Sequence, residues 1–326
     1  MKFGIIGCGL IGRKRASVIC GKNSVEVAAD IKIERAKELA AEFDIKETTD
    51  DPDRVVSNPD VDAVIVATTH DVLAKIALKA IEAGKHVLIE KPGARNADEL
   101  IPVIEAAKKK NVTVKIGFNH RFHPGLQKAK SIVDSGDLGP LMFIRGRYGH
   151  GGRLGYEKEW RAQPEISGGG ELLDQGVHLI DLSRWFLGEL SPAGGSLNTY
   201  FWDMQVDDNA FILLKTAQDQ VAWLHATWTE WKNMFSFEIY GKKGKLHIEG
   251  LGGSYGTERL TYYRMLPEMG PPETEMYEFP GEDLSWKLEF DDFCESVASG
   301  SKPCGNLEDA AASLSIVDAY YQRNNS

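Results

Sequence analysis

Gly7-Cys8-Gly9-Leu10-Ile11-Gly12 follows the apolar run 2–6 directly and opens a helix-spaced segment through Ala16, Val18 and Ile19. Few folds accept a strand that turns into a helix through three such glycines. The first permits the tight turn, the second lets a ligand approach the backbone, and the third allows helix and sheet to pack closely. The helix N-terminus adds unsatisfied N–H groups and the positive end of the helix dipole, so the pyrophosphate of a dinucleotide fits there. The next apolar run ends at Asp30, eighteen residues past Gly12, where a carboxylate can accept hydrogen bonds from both adenosine ribose hydroxyls. The same charge repels a 2′-phosphate, which favours NAD over NADP. Lys32 and Arg35 just beyond keep NADP open, and a solvated strand-end aspartate is the plain alternative.

Apolar runs at 2–6, 25–30, 46–48, 62–67, 86–90 and 112–117 alternate with helix-period segments at 35–43, 72–83 and 97–110. This alternation is the form of a doubly wound parallel α/β sheet. Gly84 is placed to stop one helix and Asn96 to cap the next. After Phe118 the texture changes to longer alternating, aromatic-rich segments at 141–150, 198–205, 210–216, 221–229, 235–240, 245–249 and 259–265, with helices expected at 171–187, 286–298 and 306–321. The expected fold is therefore α/β: a dinucleotide-binding domain over 1–118 and a second α/β domain over 119–326 with a large, open, mostly antiparallel sheet. A chain of 326 residues, 42% hydrophobic and 26% charged, supports two such cores.

The net charge of −10 argues against nucleic-acid binding and a polybasic membrane contact. Met1-Lys2 leads straight into the first strand, with no room for a secretory leader, and no run approaches membrane-spanning length. A cytoplasmic protein is expected. Cys8, Cys20, Cys294 and Cys304 lack metal-like spacing, so no metal site is expected and the four are read as reduced small residues.

Two further segments carry chemistry. His86-Val87-Leu88-Ile89-Glu90-Lys91-Pro92 ends the fifth strand with a lysine, and Gly168-Gly169-Gly170 leads into Asp174 and His178, four residues apart and on one side of a helix. An amine, a carboxylate and an imidazole are what proton transfer from an alcohol requires. Asn119, His120 and Arg121 follow the last strand of the first sheet, at either a ligand or a hinge. In 141–150, alternation puts Arg145 and Arg147 on one face and Ile144, Tyr148 and His150 on the other. Arg153, Tyr156, Lys158, Trp160 and Arg161 then form a local basic region, read either as ordinary surface charge or as a site for phosphate, carboxylate or a nucleotide diphosphate. Trp223, Trp228 and Trp231 are read as core or subunit interface rather than a sugar platform.

With these motifs in order, the chain resembles the Gfo/Idh/MocA family of oxidoreductases, named for glucose-fructose oxidoreductase and inositol dehydrogenase. The resemblance rests on the glycine motif, the stretch 80–92 through Glu90-Lys91-Pro92, Trp160-Arg161, Gly168-Gly169-Gly170 and Asp174-Gln175-Gly176-Val177-His178. It implies a Rossmann domain and an α/β domain whose open sheet meets a partner subunit, as a homodimer or homotetramer. It also implies a hydride-transfer site lined by Lys91, Asp174 and His178, a cis peptide before the proline, and Trp160-Arg161 near the cofactor. One departure is Thr68-Thr69-His70, where the family often has Thr-Pro-Asn. The cofactor is still expected to pass Thr68, while His70 either caps the next helix or contacts the ribose.

The expected activity is NAD-dependent oxidation or reduction of a secondary hydroxyl on a sugar, sugar derivative, nucleotide sugar or cyclitol. Gly7, Gly9, Leu10, Ile11, Gly12, Asp30, Thr68, His70, Glu90, Lys91, Trp160 and Arg161 are expected to serve the cofactor. Lys91, Asn119, Arg121, His150, Arg153, Tyr156, Asp174 and His178 are expected to serve the substrate. His178 is assigned as base and Lys91 as the cation holding the substrate oxygen, with Lys91 as base if burial lowers its pKa. An NAD-dependent glycoside hydrolase of the same fold and a non-catalytic NAD-binding regulator are the alternatives.

Overall fold

In a computed structural model of the chain, residues 1–268 and 270–324 are described. Contacts divide the chain into two compact units: residues 1–118, 165–168 and 286–312, and residues 119–164, 169–285 and 313–326.

The first unit alternates strands and helices in chain order: β1 (Lys2–Ile6), α1 (Leu10–Val18), β2 (Ser24–Ala29), α2 (Ile33–Phe43), β3 (Glu47–Thr49), α3 (Pro52–Ser57), β4 (Ala63–Val66), α4 (His70–Glu82), β5 (His86–Ile89), α5 (Ile101–Lys110) and β6 (Val114–Ile116). The strands pair in parallel in the order β3-β2-β1-β4-β5-β6, so the order of winding, not the strand direction, reverses between β1 and β4. All four residues of β4 are buried, as expected of a strand covered on both faces. Gly84 turns the chain at φ +79°, and the Asn96 side chain accepts from the Glu99 N–H at 3.0 Å, as their positions in the sequence suggested. Helix α3 was not expected. Its six residues are too few for a readable period, and its start rests on Asp51, whose side chain accepts from Asp53 N–H, followed by Pro52.

The second unit holds α6 (Pro124–Asp134), β7 (Leu141–Gly149), a π-helical turn over Leu172–Gly176 that continues into α8 (Val177–Leu187), and strands β8 (Ser191–Asn198), β9 (Asn209–Lys215), β10 (Val221–Thr227), β11 (Met234–Gly241), β12 (Gly244–Glu249), β13 (Glu258–Arg264) and β14 (Glu273–Phe279). A single turn, α7 (Pro164–Ser167), precedes the glycine triplet, and α9 (Ser285–Ser299) and α10 (Leu307–Asn324) close the chain. The eight strands run β14-β13-β12-β11-β7-β10-β9-β8, antiparallel except for β10 beside β7. Among the described residues no helix is long and apolar enough to cross a membrane.

One expected strand lies elsewhere. The strand read at 198–205 lies earlier, at β8, whose Pro192, Gly194 and Gly195 hide it from a propensity reading but suit an edge strand. Residues beyond it form a loop because Asp208 accepts from the backbone N–H groups of Tyr200, Phe201 and Trp202. The other edge, β14, alternates charge with weakly apolar residues, and α6 begins at a proline; both went unread. The tryptophan group divides: Trp228 is fully buried, while Trp223 and Trp231 are 55% and 65% exposed.

His225 of β10 stacks on Phe211 with ring centroids 4.1 Å apart, and its Nε2 lies 3.1 Å from the Asn209 amide oxygen. Burial, helped by the charge of Arg147, pushes its pKa down to about 4. Between pH 6.5 and 4 the unfolded chain therefore binds a proton that the folded chain refuses, and stability falls as pH drops through that window. Allowing for partial exposure, the loss is about 1–2 kcal/mol. Urea midpoints at neutral pH and near pH 5 should differ accordingly, and His225→Gln should flatten the difference.

Candidate active site

In the first unit the glycine turn is built by close backbone approach. A Cβ on Gly12 would sit 1.9 Å from the Gly7 carbonyl oxygen, and one on Gly7, at φ +97°, would sit 2.3 Å from the Ala67 oxygen. A Cβ on Gly9 would meet nothing within 4 Å. The middle glycine thus faces open space at the start of α1, where no side chain caps the helix and no acidic residue enters the first turn. Such an N-terminus suits a pyrophosphate. Asp30, 8% exposed, accepts from Cys8 N–H at 2.8 Å and Lys32 N–H at 2.9 Å, so two amides fix the carboxylate beside the loop. Leu10 and Ile31 flank that region 74% and 87% exposed, apolar surface suited to an adenosine. Burial pushes the Cys8 thiol up to about 12, consistent with a small neutral residue. These features fit NAD, whose pyrophosphate the α1 amides would hold and whose ribose Asp30 would bind.

Glu90 and Lys91 follow β5 directly, and the Lys91–Pro92 peptide is cis. The carboxylate of Glu90, which the sequence assigned to the cofactor, meets Arg15 of α1, with Arg15 Nε donating to Oε1 at 2.5 Å. Arg15 is completely buried, and its Nη1 donates to the equally buried Glu289 of α9 at 2.6 Å, while Trp286 covers the guanidinium at 4.5 Å. His70 is the first residue of α4, with Thr69 at the N-cap position, and its Nδ1 donates to the Ser167 carbonyl at 2.8 Å. Thr68 Oγ1 donates to the Thr69 carbonyl at 3.3 Å.

In the second unit Asp174 and His178 are 7% and 4% exposed, one on the π-helical turn and the other on the first turn of α8. Single π turns inside helices recur at functional sites because they displace side chains from the ordinary spacing. Here the turn is pinned from outside. Asp207 accepts from Leu172 N–H at 2.9 Å, Gly170 N–H at 3.2 Å and the Tyr321 hydroxyl at 2.9 Å. Gly170 must be glycine, since a Cβ would lie 2.0 Å from the Asp207 oxygen.

Arg161 stacks over Trp160 at 4.5 Å and donates to Asp174 Oδ2 through Nε at 3.0 Å, a pairing the sequence did not reveal. Arg121 likewise forks onto Asp181 of α8, through Nε at 2.8 Å and Nη2 at 2.6 Å. Asn119 donates to Ser285 Oγ at 2.9 Å. His150 accepts from Gly152 N–H at 2.9 Å through Nδ1, and its ring meets Tyr156 edge-on. Tyr156 is buried among Trp202, Val206 and Trp228, and Arg153 pairs with Glu159 at 2.6 Å. Arg145 and Arg147 face outward while Ile144 and Tyr148 are buried, as the alternation predicted.

A parallel sheet in this order, an uncapped glycine-rich helix start and a fixed strand-end carboxylate define an NAD-binding oxidoreductase. Residues 1–118 match the model described as "Oxidoreductase family, NAD-binding Rossmann fold", and residues 126–247 match the "GFO/IDH/MocA C-terminal domain". The chain belongs to the Gfo/Idh/MocA family. Similar curated proteins include levoglucosan dehydrogenase of Pseudarthrobacter phenanthrenivorans, 28% identical over 76% of this chain and 73% of that protein. The scyllo-inositol 2-dehydrogenase (NAD(+)) of Bacillus subtilis is 25% identical over 95% and 92%. A solved levoglucosan dehydrogenase in complex with NADH and levoglucosan is 25% identical, with a TM-score of 0.89, covering 100% of this chain and 97% of its own.

Proposed function

We propose that the protein is a cytoplasmic NAD-dependent dehydrogenase that oxidises, or reversibly reduces, a secondary hydroxyl of a sugar, sugar derivative or cyclitol. The observation that carries the reading is the buried Asp174–His178 pair on the pinned helical turn, with Arg161 fixing the carboxylate. NAD supplies the hydride acceptor. His178 takes the hydroxyl proton as a neutral imidazole, and the Lys91 ammonium steadies the oxygen as charge develops on it. Asp174 accepts from a neighbouring hydroxyl, which is why vicinal polyols suit the site. Asn119, Arg121, His150, Arg153 and Tyr156 shape the substrate side, several through ion pairs or packing rather than direct contact.

Arg153 pairs with Glu159 of the loop and Arg161 with Asp174 of the π-helical turn, so both arginines already have carboxylate partners. That favours an uncharged polyol over a nucleotide sugar. The relatives named for levoglucosan and scyllo-inositol support the same class. A panel of free sugars, anhydrosugars, cyclitols and nucleotide sugars, read by NADH absorbance with NADP in parallel, tests the proposal. Turnover of an uncharged polyol with NAD is expected, and net glycoside cleavage without NADH would replace the reading with the hydrolase. The eight-stranded sheet is proposed as the surface joining a homodimer or homotetramer; a monomeric mass at working concentration would refute that.

A further inference from the structure

Trp231, between β10 and β11, holds the left-handed backbone conformation at φ +62°. The other three non-glycine residues that hold it among those described are Asp44, Asn111 and Asp219, types that adopt it at little cost; for a bulky aromatic residue it is a strained outlier. Such strain persists only where the surroundings impose it. Here Glu230 N–H donates to the His150 carbonyl at 3.3 Å and Asn233 Nδ2 to the Ser254 carbonyl at 3.1 Å. Gly151 passes so close that a Cβ on it would lie 3.1 Å from Trp231 Cα.

The strained backbone does not bury the ring. Trp231 is 65% exposed and meets Phe201, itself 58% exposed, with centroids 4.7 Å apart and planes at 81°. Phe201 is held as firmly, because the fully buried Asp208 accepts from its N–H and from those of both its neighbours. Two rings are fixed as an open corner with more than half of each in water. The corner continues toward Asp174: Phe201 meets Trp202 edge-on at 5.1 Å, Trp202 meets the buried Tyr156 at 5.6 Å, and the Tyr156 hydroxyl lies within electrostatic reach of Asp174.

We propose that Phe201 and Trp231 form a subsite for a second carbohydrate ring, so that the substrate is a glycoside or oligosaccharide reaching from Asp174 to this corner. The proposal rests on the reading of Asp174 and His178 as the polyol site. The apolar C–H face of a pyranose lies flat on an indole, while its hydroxyls stay at the edges and keep their polar partners. Glu230 and Lys232 flank Trp231 in the chain, and neither side chain has a hydrogen-bond or ion-pair partner among the described residues. A hydroxyl both donates and accepts, so one sugar ring can serve a carboxylate and an ammonium together. A second protein chain suits the corner less well. Even with Tyr200, 69% exposed, the three rings offer roughly 400 Å², about half of what each partner of a standard protein interface buries. Docking of a protein would also withdraw both unpaired charges from water.

Calorimetric titration of the NADH-bound protein with D-glucose, cellobiose, maltose and lactose, on wild type, Trp231→Gly and Phe201→Ala, tests the proposal. Trp231→Gly relieves the left-handed backbone and is expected to keep the wild-type urea midpoint. The best disaccharide is expected to bind wild type about five- to tenfold more tightly than glucose, and that ratio to fall to about one in either variant. Disaccharides no tighter than glucose in wild type, or a preference surviving in both variants, would overturn the subsite. An oligomer that dissociates in Trp231→Gly, seen by sedimentation, would assign the corner to a second copy and overturn it as well. A Trp231-dependent preference without NADH formation from NAD on any of these sugars would support the subsite and remove the dehydrogenase reading alone.

Discussion

Lys91→Ala and His178→Ala are each expected to lower kcat by about 10²–10⁴ while cofactor affinity stays within a few-fold of wild type. The separation follows from where the residues stand. The α1 start and Asp30, which fit the pyrophosphate and ribose, are built by Gly7, Gly12 and two backbone amides, and neither substitution touches them. In the proposed reaction Lys91 supplies charge toward an oxygen that becomes anionic as hydride leaves, and His178 supplies the proton acceptor; on that reading both contributions appear only in the transition state. The double variant should fall little further than the worse single one, since groups serving one transfer are not additive. Fluorescence titration with NADH and steady-state kinetics on the best polyol check both halves. If both single variants kept kcat within threefold of wild type, the assignment would fail. Lys91→Arg distinguishes the two candidates for base: it keeps the charge but not a titratable amine, so an alkaline activity retained there leaves His178 in the role.

Arg15→Met is expected to cost about 3–5 kcal/mol of stability, a large part of the ~5–15 kcal/mol typical of a folded domain. Arg15 is completely buried between Glu90 and Glu289, and removing it leaves two carboxylates facing each other in a site that cannot solvate them. The carboxyl of Glu289 is already raised by burial, a shift that Arg15 opposes most strongly, with Lys115 next. Without the guanidinium that restraint is lost. A urea midpoint falling at constant m checks the prediction, and Glu289→Gln added to Arg15→Met should restore part of it by removing one stranded charge. Turnover should fall as well, because Glu90 precedes Lys91 and Arg15 is what fixes Glu90 against α1.

Arg15, the residue with that predicted effect, illustrates what was illegible. Its partners lie 75 and 274 positions away, and nothing in the local pattern around Lys14-Arg15-Ala16 distinguishes a buried cation from a solvated one. Arg161 with Asp174, Arg121 with Asp181 and His120 on His178 were hidden for the same reason: each residue was legible by type, but its partner is chosen by three-dimensional packing. Short or edge elements escaped differently. In β8 and β14 the edge position tolerates Pro, Gly and alternating charge, so the period that reveals a central strand is absent.

The sequence by itself determined what depends on neighbours along the chain. The strand–glycine–helix start, the alternation of buried strands with amphipathic helices and Asp30 just past a strand end are local constraints, and local sterics enforce them wherever the chain folds. Tertiary structure decided which charges are spent on one another. Glu90 became the partner of Arg15 and Arg161 the partner of Asp174, because a charge withdrawn from water must find its counterpart among whatever packing brings near, and that choice is made only when distant segments meet.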